Sequence, residues 1–250
     1  MKNILLAATA VSSFAMAAHA ENVNICVEGA YPPFSSTEAS GEVVGFDIDI
    51  AKALAAEMGM EATMVKTDWD GIIPALLEGK CDAIIASMSM TEERKQVIDF
   101  SGKYYNSPAG FIGAEGMMAD SLDSKVVGVQ RGTIHQDFME GVFPNVELRL
   151  YGSQDDVYLD LQAGRIDAAM GDSIAMGDGF LSTDAGAGFS FFGEMYSVTQ
   201  YHGEGAGVGL RQEDTELRDK FSAAILAIRA SGEYAMINDK YFEVDIYGGE

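Results

Sequence analysis

The sequence predicts an α/β protein of two lobes of like design, and three observations lead there. Short apolar runs alternate with helical-period segments along the whole chain, the pattern of α/β architecture. One helix-to-strand unit occurs twice: Leu76-Leu-Glu-Gly-Lys-Cys-Asp-Ala-Ile-Ile-Ala-Ser87 aligns without gaps on Leu161-Gln-Ala-Gly-Arg-Ile-Asp-Ala-Ala-Met-Gly-Asp172. Setting aside a leader of 20 residues from the 250 leaves 230, which suits one large or two small domains.

The leader comes first. Met1-Lys2 is a short positive start, Ile4 to Ala17 is mostly apolar, and Ala18-His19-Ala20 reads as a cleavage site of the A-x-A type. The apolar stretch is too short to span a bilayer comfortably. Cleavage after Ala20 is expected, with no cysteine following it for lipid attachment, which places the mature chain in a periplasm.

Val23 to Val27 is a strand candidate that leads into the loop Glu28 to Phe34. Ile50, Ala51, Leu54, Ala55 and Met58 recur at helical spacing, with Asp47 as a cap candidate and Gly59 as the stop. Glu61 to Val65 is the next strand. A short helix around Ile72 to Glu78 follows, placing Pro74 in its first turn, where proline is tolerated. Asp82 to Ala86 is apolar and short, as a buried parallel strand should be.

Phe100 to Ile112 reads as an extended crossing to the second lobe. There Val126 to Val129 starts a strand, and Gln154 to Gln162 is an amphipathic helix. Tyr201 to Gly209 is glycine-rich, but Val208 or Leu210 falls where a dinucleotide fingerprint needs its third glycine. It reads instead as a return crossing into strand Ala206 to Leu210. The last helix, Glu216 to Ser231, carries Phe221, Ile225 and Ile228 on one face. Lobe I is thus expected to comprise residues 21–106 plus 205–250, and lobe II residues 107–204 with the hinge crossings.

The chain has 39 acidic against 16 basic residues and a net charge of −23. That excludes nucleic acid and anionic lipid as partners, since both need basic patches. It favours cationic ligands through long-range attraction, and it equally suits a surface adapted to salt or acid. The two cysteines are expected to be separate buried thiols. Cys26 lies two residues before the end of its strand and Cys81 six before the end of a neighbour, an offset of about 13 Å that no disulfide spans. Metal-ligand spacing, a P-loop, H-E-x-x-H and a serine nucleophile elbow are all absent from the sequence.

In open α/β sheets ligands bind beyond the carboxyl ends of the strands. The first strand ends at Glu28 with Tyr31 close behind, and the strand from Asp82 ends at Ser87 and Ser89. Thr91 then caps a turn carrying Arg94. In the second lobe one strand ends before Gln130-Arg-Gly-Thr133 and the echo strand ends at Asp172. The set fits a free amino acid. Arg94 supplies a planar donor for a carboxylate, assisted by hydroxyls and N–H groups at Ser87, Ser89 and Thr133. Asp172 supplies the counter-charge for an α-ammonium from the opposite lobe. Arg94 alone reads equally well as half of a surface ion pair, and Asp172 alone as a helix cap. Tyr31 and Trp69, the only tryptophan, are candidates to flank a side chain, and Glu28 then faces its cationic end. His135 is a possible contact at the far end.

These residues resemble a known family. Glu28-Gly-Ala-Tyr-Pro-Pro-Phe, Val44-Gly-Phe-Asp-Ile-Asp-Ile-Ala, Asp70-Gly-Ile-Ile-Pro, Ser87-Met-Ser-Met-Thr-Glu-Glu-Arg94 and Gly132-Thr133 resemble family 3 solute-binding proteins, the periplasmic polar-amino-acid receptors of ABC importers. The likeness spans essentially the whole mature chain. It implies the type II periplasmic-binding-protein fold, with a ligand cleft between the lobes and a two-strand hinge. It also implies that Arg94 and Asp172 hold the ligand's carboxylate and amino groups. Ser87, Ser89, Thr133 and the backbone at Ile134 would complete the polar shell, with Tyr31 and Trp69 flanking the side chain. Glu28 with Trp69 looks most like the arginine, ornithine and opine receptors, and Asp172 argues for a free α-amino group and so against an opine. Ala86 and Ile134 stand where relatives have Ser and Thr. The implied partners are a cationic amino acid (arginine, ornithine, lysine or histidine) and an ABC permease, for a monomer with no cofactor and no metal. Two alternatives stay open: a cyclohexadienyl or arogenate dehydratase on the same fold, with Glu28 or Asp172 as its acid, and a sensor docking on a membrane kinase.

Overall fold

The computed structural model describes residues 21–248, so the leader and its cleavage site lie outside the described residues. The first part of the chain runs β1 (Glu21–Val27), β2 (Ala30–Tyr31), β3 (Ser35–Thr37), β4 (Val43–Val44), α1 (Phe46–Glu57), β5 (Met60–Lys66), α2 (Trp69–Leu77), β6 (Ala83–Ile84), α3 (Glu92–Lys95) and β7 (Asp99–Tyr105). The second part runs β8 (Ala109–Ala114), β9 (Val126–Gln130), α4 (Ile134–Val142), β10 (Glu147–Tyr151), α5 (Gln154–Gln162), β11 (Ala168–Asp172), α6 (Ser173–Met176), β12 (Phe189–Tyr196) and α7 (Thr199–His202). The chain then returns through β13 (Ala206–Leu210), α8 (Thr215–Ser231) and α9 (Glu233–Asn238).

Two five-stranded sheets result, ordered β5-β1-β6-β13-β7 and β10-β9-β11-β8-β12. Their plans superpose term by term. In each, three parallel strands are followed by one antiparallel strand and a fifth strand antiparallel to that one. β6 and β11, the strands of the sequence echo, both occupy the centre. The antiparallel members, β8 and β13, are the first strands after the two crossings. Each sheet is covered on both faces. Ile50 and Leu54 of α1 with Phe221 and Ile225 of α8 cover one face of the first sheet, and Ile72 and Leu76 of α2 cover the other. In the second sheet Phe138 of α4 lies on one face and Val157 and Leu161 of α5 on the other.

The crossings pass close together. A Cβ on Gly203 would sit 2.3 Å from the Met90 carbonyl oxygen and one on Gly205 2.7 Å from that of Tyr105. Both glycines also have positive φ, so the glycine-rich stretch is explained by tight backbone contact.

Three expectations need correction. Cys26 and Cys81 form a disulfide, with Cα atoms 5.7 Å apart. The offset argument carried an extended strand back to Cys81, but β6 begins only at Ala83 and the chain bends at Lys80 and Asp82. The rise of an extended strand does not apply there, and Cys81 returns over β1 beside Cys26, within the apolar cluster of Ile72 and Leu76. Asp47 does not cap α1: Gly45 is the N-cap, and the Asp47 side chain is turned inward to Ser87 and Tyr104. Pro74 lies in the middle of α2, because that helix starts at Trp69 rather than at Ile72. Thr91 does cap α3, its side chain accepting from the Arg94 N–H at 3.3 Å.

Candidate functional site

A pocket lies between the carboxyl ends of the two sheets. All ten residues singled out from the sequence line it: Glu28, Tyr31, Trp69, Ser87, Ser89, Arg94, Thr133, Ile134, His135 and Asp172. The strand-end rule points to Glu28, Ser87 and Asp172 among them; Trp69 came from its aromatic character and Ile134 from the family resemblance.

The first lobe supplies the cavity's cation. The Arg94 guanidinium, half-buried, donates to the Ser89 carbonyl at 3.0 Å and to the Gly132 carbonyl of the other lobe at 3.2 Å. It lies 5.3 Å from the centre of the Trp69 ring, a cation–π arrangement. Burial lowers its pKa to about 10, still far above neutrality. Its side chain bonds to carbonyls and, among the described residues, forms no surface ion pair. Trp69, the first residue of α2, donates its Nε1–H to the same Gly132 carbonyl at 3.2 Å.

Two buried carboxylates line the remainder, and a third, Asp47, stands behind the wall. Glu28 is 5% exposed and accepts from Gln130 Nε2 at 2.6 Å. Burial raises its pKa to about 7; the Gln130 hydrogen bond opposes the rise, and Asp155, Asp68 and Asp70 add to it. Asp172 ends β11 with no capping hydrogen bond to α6, and accepts from the Tyr31 hydroxyl across the cleft at 2.7 Å. Burial raises it to about 6 against the pull of Tyr31 and Arg94. Asp47, behind Ser87, is raised to about 7 by burial, with Ser87 and Tyr104 opposing. His135 Nε2 lies 3.7 Å from Asp172 Oδ1, but burial, His202 and Arg94 push the ring down to about 3, so it stands neutral.

Ser87 has φ of 56°, the one non-glycine residue with positive φ among the described residues. A β-carbon in that region costs roughly 1–3 kcal/mol and marks functional sites. Thr133 turns its hydroxyl back to the Gln130 carbonyl at 2.7 Å, which fixes the turn that carries Gly132 to the cleft.

Two wall residues escaped the sequence reading as ligand contacts, Gln130 and Gln154. Gln130 is the last residue of β9; the sequence reading sets it just past that strand's end and gives it no contact. Gln154 opens α5 behind the Ser153 cap, after β10, a strand that no apolar run announced. It is 1% exposed, and its Nε2 has no hydrogen-bond partner. Among the described residues no group of His, Cys, Asp and Glu is arranged to hold a metal ion, and no helix is long and apolar enough to cross a membrane.

A cavity walled by strand ends of two matched sheets, with one guanidinium facing buried carboxylates across it, is what a family comparison then accounts for. The model of bacterial extracellular solute-binding proteins, family 3, matches residues 23–244. The chain belongs to that family. An L-arginine-binding protein of Pseudomonas aeruginosa is 44% identical over 99% of this chain and 98% of its own. The lysine/arginine/ornithine-binding periplasmic protein of Escherichia coli is 41% identical over 96% of this chain and 94% of its own. A solved periplasmic binding protein of Salmonella typhimurium, described for its high arginine specificity, superposes with a TM-score of 0.83 at 31% identity, covering 89% of this chain and all of that one. These family 3 relatives are binding proteins rather than enzymes, and the two-lobed α/β architecture read from the sequence is theirs.

Proposed function

We propose that this protein is a periplasmic receptor for a free cationic amino acid, arginine foremost, which it hands to an ABC importer. The observation that carries the reading is the opposition of Arg94 to Asp172 and Glu28 within one pocket. A zwitterion with a cationic side chain satisfies all three. Its carboxylate takes the Arg94 fork and N–H groups at Ser89 and Ile134. Its α-ammonium takes Asp172, and its side chain passes along Tyr31 and Trp69 to Glu28. Neither Glu28 nor Asp172 has a cationic hydrogen-bond partner in the cavity, and both are raised by burial, so a bound cation would relieve a standing cost. The relatives named for arginine, lysine and ornithine support the same ligand class.

Because acid and base sit on opposite walls, a ligand bearing both charges favours the closed arrangement. The closing bodies are residues 21–106 with 205–250 and residues 107–204, turning about the two links between them. The mature chain begins at Glu21. Isothermal titration of arginine, ornithine, lysine, histidine and glutamine tests the reading. Tight binding of arginine with weaker glutamine is expected, and no heat with any cationic amino acid overturns it.

A further inference from the structure

Hydrogen-bond accounting behind Ser87 assigns a role to Asp47 that the cavity wall does not display. Asp47 is wholly buried. Its Oδ2 accepts from the Ser87 hydroxyl at 2.9 Å and its Oδ1 from the Tyr104 hydroxyl at 3.0 Å. Tyr104 in turn accepts the Ser87 backbone N–H at 2.9 Å, so the phenol's one hydrogen goes to Asp47. Serine has a single hydroxyl hydrogen and two lone pairs. With that hydrogen held by Asp47, the Ser87 hydroxyl can offer a ligand only lone pairs. Its N–H is also spent, on Tyr104. Ser87 therefore has nothing to donate to a carboxylate.

We propose that Asp47 is a positioning residue: by taking the Ser87 hydroxyl hydrogen it makes Ser87 an acceptor, committing that residue to the ligand's α-ammonium beside Asp172 and not to its carboxylate. The proposal rests on the amino-acid reading of the cavity and changes one of its assignments. It also accounts for the left-handed Ser87 backbone, since that conformation lets one residue give both N–H and O–H to the buried pair. Asp47 does not line the cavity and reaches it through Ser87, directly and by way of Tyr104.

The test is a double-mutant cycle on arginine affinity, run by titration at pH 8, where the Asp47 carboxyl is ionised. Asp47→Asn and Ser87→Ala should each weaken arginine about tenfold or more. In the Ser87→Ala background, Asp47→Asn should add less than about twofold. Equal losses in both backgrounds would mean that Asp47 only supports the fold, and would overturn the proposal. Should Asp47→Asn fail to give a cooperative thermal transition, Ser87→Ala decides alone. It should weaken arginine while leaving 5-guanidinopentanoate, which lacks the α-amino group, within about twofold; a larger loss for that des-amino compound reverses the assignment. If the unaltered protein binds no arginine, the reading of the cavity falls and this inference with it. Arginine binding combined with additive losses removes only the inference.

Discussion

At the residue scale the site is a problem of uncompensated charge. Arg94 keeps its charge in spite of partial burial, whereas burial raises Glu28 to about 7 and Asp172 to about 6, with no cation hydrogen-bonded to either. Arg94→Ala should therefore lose every amino acid by about a hundredfold or more, the scale of a broken buried pair. Glu28→Gln should lose cationic ligands while keeping glutamine within a few-fold, and the two titrations together separate backbone recognition from side-chain recognition. A proton effect follows from the same carboxylates. A cation bound against Glu28 lowers a pKa that stands near 7, so binding at pH 7 should release about half a proton, and arginine affinity should weaken as pH falls from 8 to 5. Titrations in buffers of different ionisation enthalpy read the released proton directly. The effect should shrink in Glu28→Gln, and an unchanged proton count there would show that Glu28 does not face the ligand.

At the element scale, the sequence marked strand ends well and chain reversals poorly. Ser87 and Asp172 were found because apolar runs stop there, and such stops are local properties of the chain. The Cys26–Cys81 disulfide was missed because Cys81 sits in a bend, where distance along the chain says nothing about distance in space. Asp47 looked like a cap because caps and buried carboxylates share the same local sequence, and only its partners Ser87 and Tyr104, 40 and 57 residues away, distinguish them. Closing a loop with a sequence separation of 55 removes unfolded-state entropy worth about 4 kcal/mol in the chain-entropy view. Replacing both cysteines by alanine should lower the thermal midpoint by several degrees while leaving arginine affinity within a few-fold. A thermal scan with a matched titration checks both halves of that statement.

At the scale of the whole molecule, directional contacts join the lobes. Tyr31 reaches Asp172, Gln130 reaches Glu28, Trp69 and Arg94 share the Gly132 carbonyl, and Arg131 pairs with Asp70. Another contact is steric. A Cβ on Gly179 would stand 2.2 Å from the Pro32 carbonyl oxygen, a backbone atom that cannot step aside. Gly179 has an ordinary negative φ, so alanine fits its backbone and meets only the facing lobe. Gly179→Ala should fold normally, hold the lobes apart, and weaken arginine, lysine and glutamine by one common factor of about tenfold, through the reduced fraction of closed molecules. Small-angle scattering should show a smaller compaction on adding arginine than in the unaltered protein. A loss confined to one ligand would mean that Gly179 acts on the cavity and not on closure.

By itself the sequence determined the two-lobed α/β plan, the strand ends that wall the cavity, and the opposition of Arg94 to Asp172. Periodicity, an internal echo and the loss of apolar character at a strand end are local signals, and local signals survive in a linear chain. Tertiary structure alone decided that Cys26 meets Cys81, that Gln130 holds Glu28 and that Asp47 holds Ser87. Each joins residues at least 40 positions apart, and the packing that selects such partners is a property of the folded sheets and not of any stretch of chain.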